Sequence, residues 1–279
     1  MSKLNYLVII QARLGSKRFP NKILTKIRNK TILEIIYERI SRSKKINKIL
    51  FAIPKNNQNN KLSKFLKSKK FEVFRGSEKN VLKRYYDAAS IYDPKYIIRI
   101  TGDSPLIDYK LLDKLINVND KNKADYVSNV NPATYPDGLD IEIFSHSSFK
   151  KVYKLAKTKH DKEHVCTFYH KNKFFNKINV KNKDNLSEMR FTLDQQEDLE
   201  LINKIFDKFA PNFDFRWTSV VNLINKKVIY PINNIDIKRN EGSSMKKGQK
   251  LYIRAKNIIP GGNMFLSKKP EMFLPNLWP

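Results

Sequence analysis

Short apolar runs and amphipathic stretches alternate along the first two-thirds of the chain, and each apolar run has the length of a buried strand. Residues 6–10 form the first run, uninterrupted in the way of a strand covered on both faces. The stretch 31–42 then carries Ile32, Leu33, Ile36 and Ile40 on one helical face. Further strands are predicted at 48–53 (KILFAI), 71–74 and 96–100 (YIIRI). Helices are predicted at 60–66, at 78–90, and from an Asp108 N-cap through Leu115. Beyond Tyr126 the pattern is mixed. A strand is expected at 140–144, a helix at 146–157, and a strand at 191–193 feeding a helix whose inner face holds Leu199, Ile202, Ile205 and Phe206. This alternation predicts an α/β, Rossmann-like fold with a doubly wound, mostly parallel sheet. Such sheets bind ligands at the carboxyl ends of their strands, where the loops 11–22 and 101–105 fall. The polar stretch 233–249, with Gly242-Ser243-Ser244, predicts a boundary: a domain at 1–232, a linker at 233–250 and a separate segment at 251–279.

Composition narrows the class. The chain has 279 residues, 41% of them hydrophobic, which supports a real core and excludes wholesale disorder. No apolar run is long enough to span a bilayer, and the N-terminal MSKLNYLVIIQAR lacks a small-residue cleavage site, so no signal peptide is expected. A single cysteine, Cys166, excludes an intramolecular disulfide and suits a reducing compartment; a cytoplasmic location is expected. The net charge of +28 draws anions. It also makes a nucleic-acid-binding protein a rival reading, although the lysines are dispersed and no zinc-finger or RNA-recognition spacing is present.

Several clusters carry chemistry. The loop Gln11-Ala12-Arg13-Leu14-Gly15-Ser16-Lys17-Arg18-Phe19-Pro20-Asn21-Lys22 sets a glycine and a serine among four basic side chains, able to wrap polyphosphate. It lacks the Gly-Lys-Ser/Thr ending of a Walker loop, and a plain exposed basic loop reads equally well. Thr101-Gly102-Asp103 places a carboxylate at a strand end beside a glycine that would admit phosphate; a turn aspartate bonding its own backbone is the alternative. Asp194-Gln195-Gln196-Glu197 has capping-box spacing, with Asp198 and Glu200 expected as solvent-facing first-turn acids. Tyr135-Pro136-Asp137-Gly138 has turn chemistry. Ser77, after Arg75-Gly76, reads as a helix N-cap or as an anion or base contact. His160 and His164 share a helix face, but in the order H-D-K-E-H and without a third ligand, so zinc is not expected.

The ordered motifs IIQARLGSKRFPNK, FRGSEKNVLKRYYDAA, RITGDSPLID, DYVSN, TYPDGLDIEIF, the DKEH run and RFTLDQQEDLELI resemble the cytidylyltransferases that make CMP-linked sugar acids, the CMP-Kdo and CMP-sialate synthetase superfamily. The nearest branch is that of the spore-coat polysaccharide biosynthesis proteins, and the resemblance covers roughly 4–209. It implies a nucleotide-diphospho-sugar-transferase-like fold and the Mg²⁺-dependent joining of CTP to a 3-deoxy-2-keto sugar acid, with release of pyrophosphate, for surface polysaccharide. It implies that Arg13 and Lys22 grip the triphosphate and act with Asp103 as the catalytic set. Gln11, Ala12, Ser16, Arg18, Ser77 and Gly102 would complete the nucleotide site. Asp103 and Asp194 would hold Mg²⁺; Tyr135, Asp137, Asp140 and His164 would line the sugar pocket. A homodimer is implied as well. The chain departs from the family at Asn21, where glycine is usual, and at Phe19 in place of leucine; asparagine tolerates a left-handed backbone. Within the same fold, another nucleotide donor or a glycosyltransferase remains open, as does a catalytically silent scaffold.

The segment 251–279 (LYIRAKNIIPGGNMFLSKKPEMFLPNLWP) is similar to the opening of class III, glutamate-1-semialdehyde-type aminotransferases. Those enzymes carry their Schiff-base lysine much later in the chain, so this segment is expected not to transaminate. A fused or shortened cytidylyltransferase–aminotransferase, or an aminotransferase partner, is the expectation.

Overall fold

The computed structural model describes residues 4–16 and 18–229. The expected boundary at 232, the linker and the aminotransferase-like segment lie outside the described residues.

Among the described residues a seven-stranded sheet forms the centre. The strands are β1 (Tyr6–Gln11), β4 (Lys48–Pro54), β5 (Val73–Gly76), β6 (Tyr96–Thr101), β7 (Tyr126–Ser128), β8 (Glu142–Ser145) and β9 (Lys177–Asn179), in the order β5-β4-β1-β6-β8-β7-β9. β2 (Lys26–Ile27) and β3 (Lys30–Thr31) make a small antiparallel ribbon. The pairs β5–β4, β4–β1 and β1–β6 are parallel, and β8 runs antiparallel to both β6 and β7. The mostly parallel α/β sheet expected from the sequence is therefore present.

Alternation along β1 explains why both faces are covered. Val8 and Ile10 pack with α1 (Ile32–Ser41), α2 (Asn60–Ser68), α4 (Tyr109–Asn122), α8 (Gln196–Phe209) and α9 (Trp217–Asn225). Leu7 and Ile9 face the other way, toward α3 (Val81–Tyr92), α5 (His146–Leu155) and α7 (Thr167–Lys171), with the short α6 (Lys159–His164) alongside. Helix starts follow local chemistry. Thr31 and Glu34 form a reciprocal capping box on α1. Asp108 caps α4 as expected, and its second oxygen also accepts from Arg216 Nε and the Trp217 amide, so one carboxylate fixes two helices.

The helix predicted at 78–90 lies at Val81–Tyr92, where Asn80 caps it, and three further expectations change. The strand predicted at 71–74 lies at Val73–Gly76, because Phe71 stacks on Tyr37 and Phe51 instead of joining the ladder. The helix begun at Asp108 runs on to Asn122, since Ile116 and Asn119 continue its buried face. Residues 191–193 form no strand. Their backbone is spent on two other loops: Phe191 N–H donates to Asp137 O at 2.7 Å and Leu193 N–H to Asp103 O at 2.8 Å. No described helix is long and apolar enough to cross a membrane.

Candidate active site

The loops after β1 and β6 meet at the carboxyl edge of the sheet. The first is pinned by buried Asn59, whose side-chain oxygen accepts from the Leu14 amide at 2.9 Å. Ser16 Oγ accepts from the Phe19 amide, tightening the turn. Asn21 then adopts a left-handed conformation, φ 58° and ψ 14°, immediately before a 3-10 turn at Lys22–Leu24. The turn survives asparagine in place of glycine, as expected. That turn sends Lys22 inward, to only 8% exposure.

Lys22 Nζ donates to Asp103 Oδ2 at 2.8 Å and to Asp194 Oδ1 at 2.5 Å. Burial works against the charged ammonium, but the two carboxylates outweigh it and hold the lysine pKa above its ordinary value. Asp194 shifts the opposite way. Burial would raise it, and the charges of Lys22, Arg18 and Arg190 bring it below the usual carboxylate range. Arg18 reaches Asp194 Oδ2 at 3.1 Å from the surface. Arg13 is exposed and has no ion pair among the described residues. Hard carboxylate oxygens gathered about one cation, beside exposed arginine, suit Mg²⁺ held by one or two carboxylates plus phosphate oxygens. Asp103 and Asp194 are the residues that could hold it. The described residues contain no group of three or more metal-ligating side chains, which a closed protein cage would need.

Two corrections concern the acids of α8. Asp194 is not its N-cap; Gln195 is, in a capping box with Asp198. Asp198 is not solvent-facing but 0% exposed. Its Oδ2 accepts from the amides of Asp194 and Gln195 at 2.8 and 2.9 Å, and Arg190 grips it through Nε at 2.8 Å and Nη2 at 3.0 Å. With Asp198 doing the capping, both Asp194 oxygens turn to cations. Sequence reading passed over Arg190 altogether; a basic residue just ahead of an acidic helix start was the one available signal.

A Cβ at Gly102 would stand 2.9 Å from Gln11 O and 3.1 Å from the Ala12 Cβ, so the missing side chain lets β1 and the end of β6 close on each other. Ala12 is buried, and Gln11 Oε1 is buried without a hydrogen-bond partner among the described residues. Ser77 does not cap α3. Asn80 does, and Ser77 Oγ accepts from the Asn80 amide in the loop ahead of it.

The loop 129–141, expected to line the sugar pocket, lies between β7 and β8. Asn129 closes its base, donating to Leu139 O at 2.8 Å and accepting from the Ile141 amide at 2.9 Å. Gly138 has φ 96°, and a Cβ there would fall 2.6 Å from Phe191 C and Thr192 N, so glycine is required on both counts. Tyr135 is buried with its ring edge-on to Trp217, and Lys114 donates to its hydroxyl at 3.0 Å. The structure thus places it beneath the loop, as support. Asp137 and Asp140 are half-buried, and Arg190 Nη1 lies 3.3 Å from Asp137 Oδ2. At the neighbouring strand ends, Glu142 takes an ion pair from Arg99 and a 2.5 Å hydrogen bond from the Tyr126 hydroxyl. His164 is half-buried at the end of α6, its ring 4.5 Å from that of His160. Burial, then the charge of His160, lower its pKa. The next residue, Val165, sits at φ 47°, a strained conformation for a β-branched side chain.

The cytidylyltransferase family model matches residues 7–230. An uncharacterized protein of Methanocaldococcus jannaschii is 38% identical over 224 residues, covering 78% of this chain and 89% of that one. A spore coat polysaccharide biosynthesis protein of Bacillus subtilis is 27% identical over 228 residues, 79% of this chain and 94% of that one. Among solved structures, a cytidylyltransferase from Leptospira borgpetersenii superposes with a TM-score of 0.76 at 30% identity, over 81% of this chain and 95% of that one.

Proposed function

The chain belongs to the cytidylyltransferase family and is a CTP-using nucleotidyltransferase, and from that premise we propose that it activates a 3-deoxy-2-keto sugar acid as its CMP-sugar, with Mg²⁺, for surface polysaccharide synthesis. The observation that carries this reading is the ammonium of Lys22 held between Asp103 and Asp194 at the strand ends, with Arg18 on Asp194 from the surface. The named relative in spore-coat polysaccharide synthesis and the ordered motifs shared with CMP-sugar-acid synthetases support the acceptor class.

In the proposed reaction the anomeric hydroxyl of the sugar attacks the α-phosphorus of CTP in line. The bond from that phosphorus to the bridging oxygen breaks, pyrophosphate leaves with the electron pair, and the hydroxyl proton passes to water. Asp103 and Asp194 would hold Mg²⁺, which would supply neutralisation of phosphate charge. Arg13, Arg18 and Lys22 draw in and orient the triphosphate, and the buried end of the lysine limits where it can sit. Positioning and charge stabilisation supply the rate, and no side chain becomes a nucleophile. Asp137, Asp140 and His164 face the acceptor from the other side. The enzyme is proposed to work in the cytoplasm as a homodimer.

The test is pyrophosphate release from CTP, UTP, GTP and ATP with 3-deoxy-manno-octulosonate and a sialic acid as acceptors. Release with CTP that depends on a sugar acid supports the reading. Release with CTP and neutral sugars alone would remove the sugar-acid assignment.

A further inference from the structure

Building on the functional reading above, we propose that Arg190 is a positioning residue that locks the acceptor loop to the Asp103–Asp194 pair, so that the two halves of the site respond as one. The guanidinium is buried, its side chain 4% exposed, and it faces three carboxylates, two on the segment that follows it (Asp194, Asp198) and one, Asp137, brought in from 53 residues away. Asp198 takes its Nε and Nη2 in a fork, at 2.8 and 3.0 Å. The remaining contacts point in two directions: Nη1 to Asp137 on the acceptor loop at 3.3 Å, and Nη2 to Asp194 on the phosphate side at 3.4 Å. The short fork fixes the arginine. The two longer contacts are those a ligand would tighten or release.

The backbone repeats the pattern. Asp137 N–H donates to Met189 O and Phe191 N–H returns to Asp137 O, while Leu193 N–H donates to Asp103 O. Residues 189–194 are thereby tied to the acceptor loop at one end and to the carboxylate loop at the other. A shift of Asp194 as Lys22 exchanges a carboxylate for phosphate is carried by Arg190 to Asp137. Desolvation makes this costly to leave half-made: a buried guanidinium that lost one carboxylate would hold the others more tightly.

A reporter is in place. Trp217 lies edge-on to Tyr135, in the middle of the acceptor loop, with ring centroids 5.5 Å apart. The chain has two tryptophans, so in Trp278→Phe the emission belongs to Trp217 alone. CTP binding by equilibrium dialysis and Trp217 emission would be followed with and without Mg²⁺ in the full chain. The emission is expected to change on adding Mg²⁺ and CTP together. In Arg190→Lys, metal-free CTP affinity is expected to stay within about threefold of the parent while the Mg²⁺-dependent emission change falls at least about fivefold, the low end of ordinary site-to-site coupling. Asp137→Asn, which removes only the charge at the loop end of the link, should reduce the emission change and keep the Mg²⁺-dependent gain in CTP affinity. Retention of the emission change in both variants overturns the proposal. So does its retention in Asp137→Asn if Arg190→Lys simply unfolds. A parent that binds CTP and Mg²⁺ silently removes the coupling alone; a parent that binds no CTP removes the functional reading and the proposal with it.

Discussion

Lys22 Nζ and Asp194 Oδ1 lie 2.5 Å apart although 172 residues separate them in the chain. The contact joins the basic loop after β1 to the start of α8, and the same ammonium reaches Asp103 after β6. Under the proposed function, Lys22 and Mg²⁺ address the same two carboxylates.

Lys22→Met should separate those roles. Without the ammonium, Asp103 and Asp194 Oδ1 lose their shared cation while Arg18 and Arg190 keep only Asp194 Oδ2, so Mn²⁺ binding in the absence of nucleotide, read by electron paramagnetic resonance, should tighten. Turnover should fall by about 10²–10³, the usual cost of one preorganised charge. Metal affinity that falls along with turnover would refute the competition.

Asp103→Asn should abolish the Mg²⁺-dependent thermal shift given by CTP. At about 100 times Kd a ligand that binds only the folded chain stabilises it by about 2.7 kcal/mol, which a melting experiment resolves. Near-normal turnover in Mg²⁺ would remove Asp103 from the metal site.

Gly138→Ala should destabilise by about 1–3 kcal/mol from backbone strain alone, and by more if Phe191 and Thr192 must move. Urea unfolding measures it. An unchanged midpoint would mean the acceptor loop is not held against 191–192 as described.

Asn21 offers a gentler contrast. At φ 58°, Asn21→Gly should hold or raise stability, whereas Asn21→Ala should cost about 1 kcal/mol. Equal melting temperatures for the two variants would argue against a left-handed turn there.

Glu142 predicts a pH dependence. Burial raises its pKa, but the charge of Arg99 and the hydroxyl of Tyr126 more than offset this, and the net shift is downward from 4.5. A carboxyl lowered on folding contributes stability that is complete above its unfolded pKa. That contribution is lost as pH falls through the folded value. Glu142→Gln, which strands buried Arg99, should be less stable by about 3 kcal/mol at neutral pH. It should also lose less than the parent as pH drops below 4.5. Parallel acid limbs in the two proteins would dismiss the pair as the cause.

The sequence is informative where structure is local. The apolar run of β1, the Thr31 start of α1, the Asp108 cap and the left-handed Asn21 each follow from residues within a few positions, and each is found. It misleads where a nearby rule competes with a distant partner. Asp194 has capping spacing, yet Arg190 positions Asp198 to cap instead. The apolar 191–193 resembles a strand, but its amides are claimed by Asp137 and Asp103. Strands β7 and β9, three residues each, are too short to show a period, and α9 is held from a distance by Asp108. Of the site, the basic loop and Asp103 are legible as types of residue in a loop; their convergence on Asp194 is not.

The reversal of β8 has a consequence for how such enzymes change. Because β8 runs against β6 and β7, the chain leaves β7 and rejoins the sheet at β8 on the same edge where β1, β4 and β6 end. The whole wall between is one excursion, closed at its base by the Asn129 side chain. Insertions, deletions or grafts within it leave every nucleotide-side strand in register. Under the proposed function, acceptor preference becomes modular: a new sugar is accommodated by exchanging this one stretch of chain, provided the replacement keeps an acid where Arg190 meets Asp137.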